Sequence, residues 1–317
     1  MLKIAIQMDR LESLYIKWDT TLELARVAIE KGFEVFHYEP KALRLDVNSD
    51  EVIVTATGYD LIYTEGEQMP WKRGEAKEAN LSNFNIIFMR QDPPFDLAYI
   101  TATHFLEHLQ NKVRIINNPV SVRNSPEKLL VTHFPHLMPP TLITRDINAI
   151  QKFRQKHGKI ILKPLFNCSG RSIFCIKKDD GNFLSIWETI SSLNNEPWIV
   201  QRYLPVERCG DKRVVLLNGE PIGCFNRKPV KGDIRGNLRI GATKESTTLT
   251  KHDKYICETL KPVLRDQGLY LVGIDIIGNY LTEINVTSPT GFVFCDVLEG
   301  RIGKARMAEQ FWNMLLA

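Results

Sequence analysis

Alternating apolar and polar positions predict a β-hairpin in the segment LVGIDIIGNYLTEINVTSPT, residues 271–290. Val272 and Ile274 begin an alternation along the first strand, and Ile284 and Val286 alternate along the second. Because successive strand side chains point to opposite faces, the pairing register decides which residues share a face.

Two turns are compatible with this hairpin, and they place its polar residues differently. A two-residue Gly-Asn turn puts Asp275 opposite Thr282 and leaves Glu283 among the isoleucines. A three-residue Gly-Asn-Tyr loop puts Asp275 opposite Glu283, with Asn285 on the same face. The binary pattern favours the three-residue loop, because the apolar residues then share the other face.

Two carboxylates and an amide oxygen on one face suit a hard cation of the magnesium type. A solvated polar sheet face has the same pattern. Spacing alone leaves both interpretations open for Asp275, Glu283 and Asn285.

The first third of the chain alternates strand and helix signals, which predicts a parallel α/β layer. The capping box Thr20-x-x-Glu23 opens a helix that Gly32 closes, and a second helix is expected near 97–110. The polar segment 64–82 is predicted to be a long loop. The strand candidates are LKIAIQM, FEVFHY, NIIFMR and VRIIN.

The pattern changes near residue 120, where hairpin signals predict an antiparallel sheet. Thr250 caps a predicted helix that ends near Gly268, and a last helix is expected from about residue 300. The polar, basic segment 226–246 is predicted to hold no stable structure without a ligand.

Composition describes an ordinary globular protein of two or three domains, with 317 residues and a formal net charge of +4. That charge gives no evidence for nucleic-acid or membrane binding, and no apolar run reaches the ~20 residues that span a bilayer. The start of the chain reads as a strand rather than a signal peptide. Six cysteines without a CxxC pair predict reduced thiols in a cytoplasmic protein.

Cations that could hold phosphate are scattered along the chain, because neither GxxxxGK[ST] nor a GxGxxG after a strand occurs. Lys163 ends an apolar strand, Lys128 lies in a first helical turn, and Arg213 leads into a strand. Arg235 lies in the basic segment 226–246. Each of these, taken singly, also fits a solvated surface residue.

Seven ordered segments together resemble the bacterial glutathione synthetases, a family of ATP-grasp ligases. The resemblance runs from the MD at 8–9 to Thr290 and covers nearly the whole chain. The segments are MRQDPPFD (89–96), NSPEKL (124–129), IILKPL (160–165), QRYLP (201–205), GDKRV (210–214), RGNL (235–238) and VGIDIIGNYLTEINVTSPT (272–290).

The resemblance implies a mixed α/β and α+β chain with the ATP-grasp fold in three parts. These are an N-terminal parallel α/β domain (1–120), a central lid subdomain (121–200) and a C-terminal antiparallel-sheet subdomain with the metal site (201–317). ATP would lie between two antiparallel sheets.

The resemblance also implies a role for individual residues. Magnesium, with two ions expected and manganese as the alternative, would bind Asp275, Glu283 and Asn285. Arg213 and Arg235 would act on the reacting groups. ATP would contact Lys128, Lys163, Ser169, Gly170, Gln201, Tyr203, Leu204 and Asp211, and the peptide or acyl phosphate would contact Asp19, Arg90, Asn237, Ser288 and Thr290.

The implied reaction joins γ-glutamylcysteine to glycine through an acyl phosphate, and the implied assembly is a homo-oligomer, with a tetramer common in the family. Two alternatives remain: another carboxylate–amine ligase of this fold, and a non-catalytic nucleotide-binding paralogue. Three departures from the family pattern bear on them: a loop with one glycine at 166–171, Gly241-Ala242-Thr243 in place of a double glycine, and Gln91 in place of a lysine.

Overall fold

A seven-stranded sheet forms the N-terminal part of the computed structural model, which describes residues 1–166, 172–193, 195–236, 238 and 241–317. Its order is β3-β4-β2-β1-β6-β7, with β5 paired to β4, and β2-β1-β6-β7 are parallel as predicted. The strands are β1 (Lys3–Gln7), β2 (Glu34–Tyr38), β3 (Leu43–Val47), β4 (Val52–Tyr63), β5 (Trp71–Asn80), β6 (Ile86–Met89) and β7 (Arg114–Ile116).

The prediction of a loop at 64–82 is wrong, because β5 pairs with β4 over most of that segment. The strand is polar on both sides and largely exposed, so it has no apolar alternation that the sequence could reveal. Cross-strand ion pairs accompany it instead, among them Lys77 with Asp60 at 2.5 Å.

Three helices belong to this part: α1 (Thr20–Glu30), α2 (Leu97–Glu107) and α3 (Pro119–Asn124). The predicted cap of α1 is displaced by one residue, because the Asp19 carboxylate accepts the Leu22 N–H at 2.9 Å. The Thr20 hydroxyl accepts the Gly291 N–H at 3.1 Å instead, so it ties α1 to the C-terminal part.

A four-stranded antiparallel sheet in the order β10-β9-β11-β8 forms the central part. It has its own apolar core, which includes Ile150, Leu162 and Trp198. Its strands are β8 (Thr141–Thr144), β9 (Ile160–Pro164), β10 (Phe174–Ile176) and β11 (Trp198–Arg202), and its helices are α5 (Ile147–His157) and α6 (Phe183–Ser191). The short helix α4 (Glu127–Leu130) precedes them and packs against the C-terminal part instead.

A five-stranded antiparallel sheet in the order β14-β13-β12-β15-β16 forms the C-terminal part, and its apolar face shares a core with the N-terminal sheet. The ends of the basic segment 226–246 lie in paired strands, so the prediction that it holds no stable structure is wrong there. The elements are α7 (Val206–Cys209), β12 (Asp211–Leu217), β13 (Glu220–Lys228), β14 (Thr243–Ser246), α8 (Lys251–Asp266), β15 (Leu271–Ile277), β16 (Tyr280–Asn285), α9 (Phe292–Glu299) and α10 (Met307–Leu316).

The last helix, predicted from about residue 300, begins later, as α10 at Met307; α9 ends at Glu299, before the predicted range, and a short turn at 303–305 lies between the two. The packing of α10 explains its position, because the Trp312 indole N–H donates to the Leu24 carbonyl of α1 at 2.9 Å. None of the helices in the described part of the chain is long and apolar enough to cross a membrane.

The Thr250→Ala variant should lower the free energy of unfolding by about 1 kcal/mol, because it removes a complete capping box from α8. Thr250 accepts the Asp253 N–H at 3.1 Å, and Asp253 accepts the Thr250 N–H at 2.8 Å. Urea unfolding measures the change. The exposed Thr248→Ala serves as control, and equal losses in both variants would refute the role of the cap.

Candidate active site

The predicted pairing of Asp275 with Glu283 is present, but the predicted three-residue loop is wrong. A two-residue turn at 278–279 joins β15 and β16, and a β-bulge then places Thr282 as an extra residue in β16. The Thr282 hydroxyl donates to the Asp275 carbonyl at 3.0 Å. Asp275, Glu283 and Asn285 therefore face the same cavity, whereas the alternate apolar residues of the hairpin pack in the core. These are Val272, Ile274, Ile276, Ile284 and Val286.

Arg213 lies directly opposite Asp275 on the neighbouring strand β12 and binds both of its carboxylate oxygens, at 2.5 and 3.0 Å. Arg227 of β13 contacts the same carboxylate at 2.9 Å and reaches Asp211 at 2.6 Å. Three strands thus contribute two acids and two guanidinium groups to one buried network.

The charges in this network shift each other's pKa. Burial alone would raise the pKa of Asp275, but the charges of Arg213 and Arg227 outweigh it and hold the pKa well below its usual range. The two acids in turn raise the pKa of Arg227 against the effect of its burial. Burial outweighs the same arginines at Asp211 and raises the pKa of its carboxyl, so the network holds Asp275, but not Asp211, firmly in its ionised form.

Lys163 brings a cation from the central sheet to this face, because its ammonium lies 3.3 Å from Glu283. Burial would raise the pKa of Glu283, but Lys163 and Lys128 lower it. Lys128 lies in α4, and its ammonium donates to the Leu165 carbonyl at 3.5 Å. The two predicted phosphate-binding lysines therefore converge on one acid of the hairpin.

The end of β11 carries the residues predicted to hold the heterocycle. The Gln201 amide donates to Thr141 at 2.9 Å, and the Tyr203 N–H donates to the Lys159 carbonyl at 3.0 Å. The Leu204 carbonyl accepts the Val206 N–H at 2.7 Å. All three predicted residues line the same cavity as the hairpin.

The N-terminal part contributes Asp19 and Arg90. Arg90 is buried and donates to the Thr21 hydroxyl at 3.0 Å and to the Pro289 carbonyl at 2.8 Å. The Ser288 hydroxyl donates back to the Arg90 carbonyl at 3.1 Å. Asp19 lines the cavity, and burial raises the pKa of its carboxyl.

Thr290 and Arg235 complete the predicted residues within the described part of the chain. The Thr290 carbonyl accepts from Arg213 at 3.4 Å, and Arg235 pairs with Asp233 at 2.7 Å on the cavity wall. Three further predicted residues, Ser169, Gly170 and Asn237, lie outside the described residues.

One cavity of about 1080 Å³ connects all three parts of the chain. It lies between the central and C-terminal antiparallel sheets and is bounded by the segment that precedes α1 and the loop after β6. A space of this size is sufficient for a nucleotide together with a small peptide.

Comparison with known proteins places the chain in a family. The family models for the N-terminal and ATP-grasp domains of prokaryotic glutathione synthetase match residues 2–123 and 127–299. The chain belongs to the prokaryotic glutathione synthetase family. The glutathione synthetase of Agrobacterium fabrum is 43% identical over 98% of this chain and 95% of that protein, and that of Brucella melitensis is 42% identical over 100% and 99%.

Solved structures show the same fold at low sequence identity. A D-cycloserine synthetase aligns over 99% of this chain and 98% of its own, with a TM-score of 0.69 and 14% identity. An ATP-grasp ligase of Chryseobacterium gregarium aligns over 100% and 97%, with a TM-score of 0.66 and 14% identity. The predicted family and the predicted ATP-grasp fold are thus confirmed.

Two site residues of this glutathione synthetase family member were missed at the sequence level. Arg227 lies in the segment 226–246, which was interpreted as irregular. It follows Phe225 by two positions on β13, and that spacing places both on one face of a strand. Glu127 lines the cavity and accepts the Thr287 hydroxyl at 2.7 Å, and burial raises the pKa of its carboxyl. No local signal distinguishes Glu127 from an ordinary acid in a first helical turn.

The Arg227→Met variant should lower the free energy of unfolding by about 3–5 kcal/mol at pH 7, because it leaves two buried carboxylates short of a partner. Adding Asp211→Asn should restore part of that loss, since one uncompensated charge is then removed. Urea unfolding measures both.

The control for this comparison is Arg208→Met on the exposed side of α7, which should change stability little. A loss in Arg227→Met no larger than that of the control would contradict the energetic role of the network.

Proposed function

We propose that this chain catalyses the glutathione synthetase reaction, in which ATP drives peptide-bond formation between γ-glutamylcysteine and glycine. Membership in the prokaryotic glutathione synthetase family over nearly the whole chain supports this activity and an ATP-dependent ligase mechanism. The observation that carries the proposal is the Asp275–Glu283 pair, which faces a large cavity together with Lys163 and Arg213.

The reaction proceeds in two steps and needs no covalent enzyme intermediate. An oxygen of the cysteinyl carboxylate attacks the γ-phosphorus of ATP, the bond to the bridging oxygen breaks, and ADP leaves. The amine of glycine then attacks the acyl carbon, phosphate leaves, and the amine gives up a proton. Phosphoryl transfer of this kind mainly requires positioning and positive charge.

Arg213 and Arg235 are assigned to the reacting groups. Arg213 is held on Asp275 through two hydrogen bonds and keeps a third contact to the Thr290 carbonyl, so its guanidinium is fixed at the cavity wall. Arg235 binds both carboxylate oxygens of Asp233, outside regular structure, and is about one-third exposed. Two guanidinium groups at the cavity wall would stabilise negative charge that develops during phosphoryl transfer.

The donor set of the hairpin fits magnesium bound with a nucleotide. Asp275 and Glu283 are opposite each other, and the Asn285 side-chain N–H donates to the Asp275 carboxylate at 3.2 Å, so all three side chains are in one place. The described residues contain no group of three histidine, cysteine or acidic side chains that could hold a metal, so phosphate and water oxygens would complete the shell. We assign two magnesium ions to the site, with manganese as the alternative; when bound, they neutralise phosphate charge.

The remaining assignments follow the family resemblance. Lys128 and Lys163 are assigned to phosphates, with Ser169 and Gly170, while Gln201, Tyr203, Leu204 and Asp211 are assigned to the nucleoside. The buried Asp211 Oδ1 accepts no hydrogen bond from the described residues, which leaves it available to a ligand donor. Asp19, Arg90, Asn237, Ser288 and Thr290 are assigned to the peptide and acyl phosphate.

We further infer a cytoplasmic homo-oligomer, with a tetramer expected, and the division into 1–120, 121–200 and 201–317. No nucleic acid or membrane partner is proposed. The two alternatives, a ligase with another substrate and a non-catalytic paralogue, both predict that γ-glutamylcysteine and glycine are not ligated.

The purified protein should release ADP and form glutathione when it is given ATP, magnesium, γ-glutamylcysteine and glycine. Coupled ADP detection and chromatography of the peptide measure the two products. ADP release only with a different amine or carboxylate would favour the first alternative, and no ADP above background would exclude the enzyme.

The Glu283→Gln variant should lower kcat/KM by ~100-fold or more, because it removes the hairpin carboxylate that faces Lys163 while keeping its size. Circular dichroism should show an unchanged fold. The exposed Glu188→Gln of α6 is the matched control and should keep full activity. Retained activity in Glu283→Gln would rule out the assigned metal role.

A further inference from the structure

Lys244 of β14 lies in an aromatic corner of the cavity. Its ammonium is 3.6 Å from the ring centroid of Trp18 and 4.2 Å from that of Phe294, and the two rings are 5.1 Å apart. All three residues line the cavity. Aromatic faces attract an ammonium through the ring quadrupole, and they leave N–H groups available for another partner.

The corner has positive charge without a balancing acid. Among the residues that the structure describes, no carboxylate lies within ion-pair distance of Lys244, and a second ammonium, that of Lys17, is 5.2 Å from the Trp18 ring. Partial burial and the charge of Lys17 lower the pKa of Lys244. A half-buried cation that opens onto a cavity calls for an anion from a ligand.

We propose that Lys244 binds the unreactive α-carboxylate of the γ-glutamyl group, and so determines specificity for the peptide substrate. This inference rests on the proposed function. It assigns Lys244 to recognition, at the end of the peptide away from the reacting carboxylate, with Trp18 and Phe294 as the walls that orient its ammonium.

The charges around the corner favour a carboxylate of an amino acid over a phosphate. Asp19 follows Trp18 in the chain and lines the same cavity, and an acid on this wall disfavours a polyanion. The γ-glutamyl group carries both an ammonium and a carboxylate, which suits a cavity wall that holds an acid and a cation. The lysines near Glu283, Lys128 and Lys163, lie on other elements and already supply positive charge for phosphate.

The test compares γ-glutamylcysteine with N-(4-aminobutanoyl)cysteine, which lacks only the α-carboxylate. The unmodified protein should use the analogue about tenfold to a hundredfold less efficiently in kcat/KM, the value of one charge-assisted hydrogen bond. Lys244→Met and Lys244→Gln should lower kcat/KM for the true peptide to a similar extent and lose the discrimination. KM for ATP and glycine should change less than about twofold.

The control is Lys228→Met on the neighbouring strand, where Lys228 pairs with Glu245 at 2.9 Å and lies outside the cavity lining. It should keep full discrimination. Folded Lys244 variants that still discriminate between the two peptides would overturn the inference. An equal loss of kcat/KM with both peptides would indicate a packing role, and a raised KM for ATP would indicate phosphate binding; either result would also overturn it. If the unmodified protein ligates neither peptide, the proposed function itself has failed.

Discussion

A buried chain of alternating charges, Asp211–Arg227–Asp275–Arg213, is the interaction on which the site depends. Taking these charged groups out of water costs free energy. Each group must therefore lie at hydrogen-bond distance from its partner, because a group without a partner would leave the next charge in the chain uncompensated. Three strands must therefore be in register at the same time. The apolar faces of the same strands pack in the core shared with the N-terminal sheet, so a slip by one residue would bury the charges there.

The β12–β13 and β15–β16 hairpins of the C-terminal sheet reach this register in the same way. Each has a two-residue turn followed by a β-bulge, with Ile222 as the extra residue in β13 and Thr282 in β16. Without the bulges, the turns would place Arg227 and Glu283 one position out of register with their partners. The bulges thus convert a common tight turn into the pairing that the charges require.

The two β-bulges explain which part of the site could be predicted from the sequence. Binary patterning identified the facing pair Asp275 and Glu283, because an acid among isoleucines is implausible in any register. It assigned the pairing to the wrong turn, since a bulge and a longer loop shift the register equally. The same uncertainty concealed Arg227, and β5 was missed because exposed, charged strands carry no apolar period. The parallel strands, the cap of α8 and the antiparallel pairing after residue 120 have strong local signals and were predicted correctly. The division into two antiparallel sheets followed only from the family resemblance, since local signals placed β11 in the same sheet as β12.

The central sheet has a separate apolar core, and this distinguishes it from the two parts that share theirs. Polar contacts join it to the C-terminal sheet across the cavity, such as Lys163 with Glu283 at 3.3 Å and Arg202 with the Tyr280 hydroxyl at 2.8 Å. An apolar side chain that is buried in one core cannot pack in another, but a lysine can exchange one anion for another at little cost. The separation of cores is what the proposed phosphate binding by Lys163 requires, because this cation could then leave Glu283 for a phosphate while the register of the C-terminal sheet stays fixed.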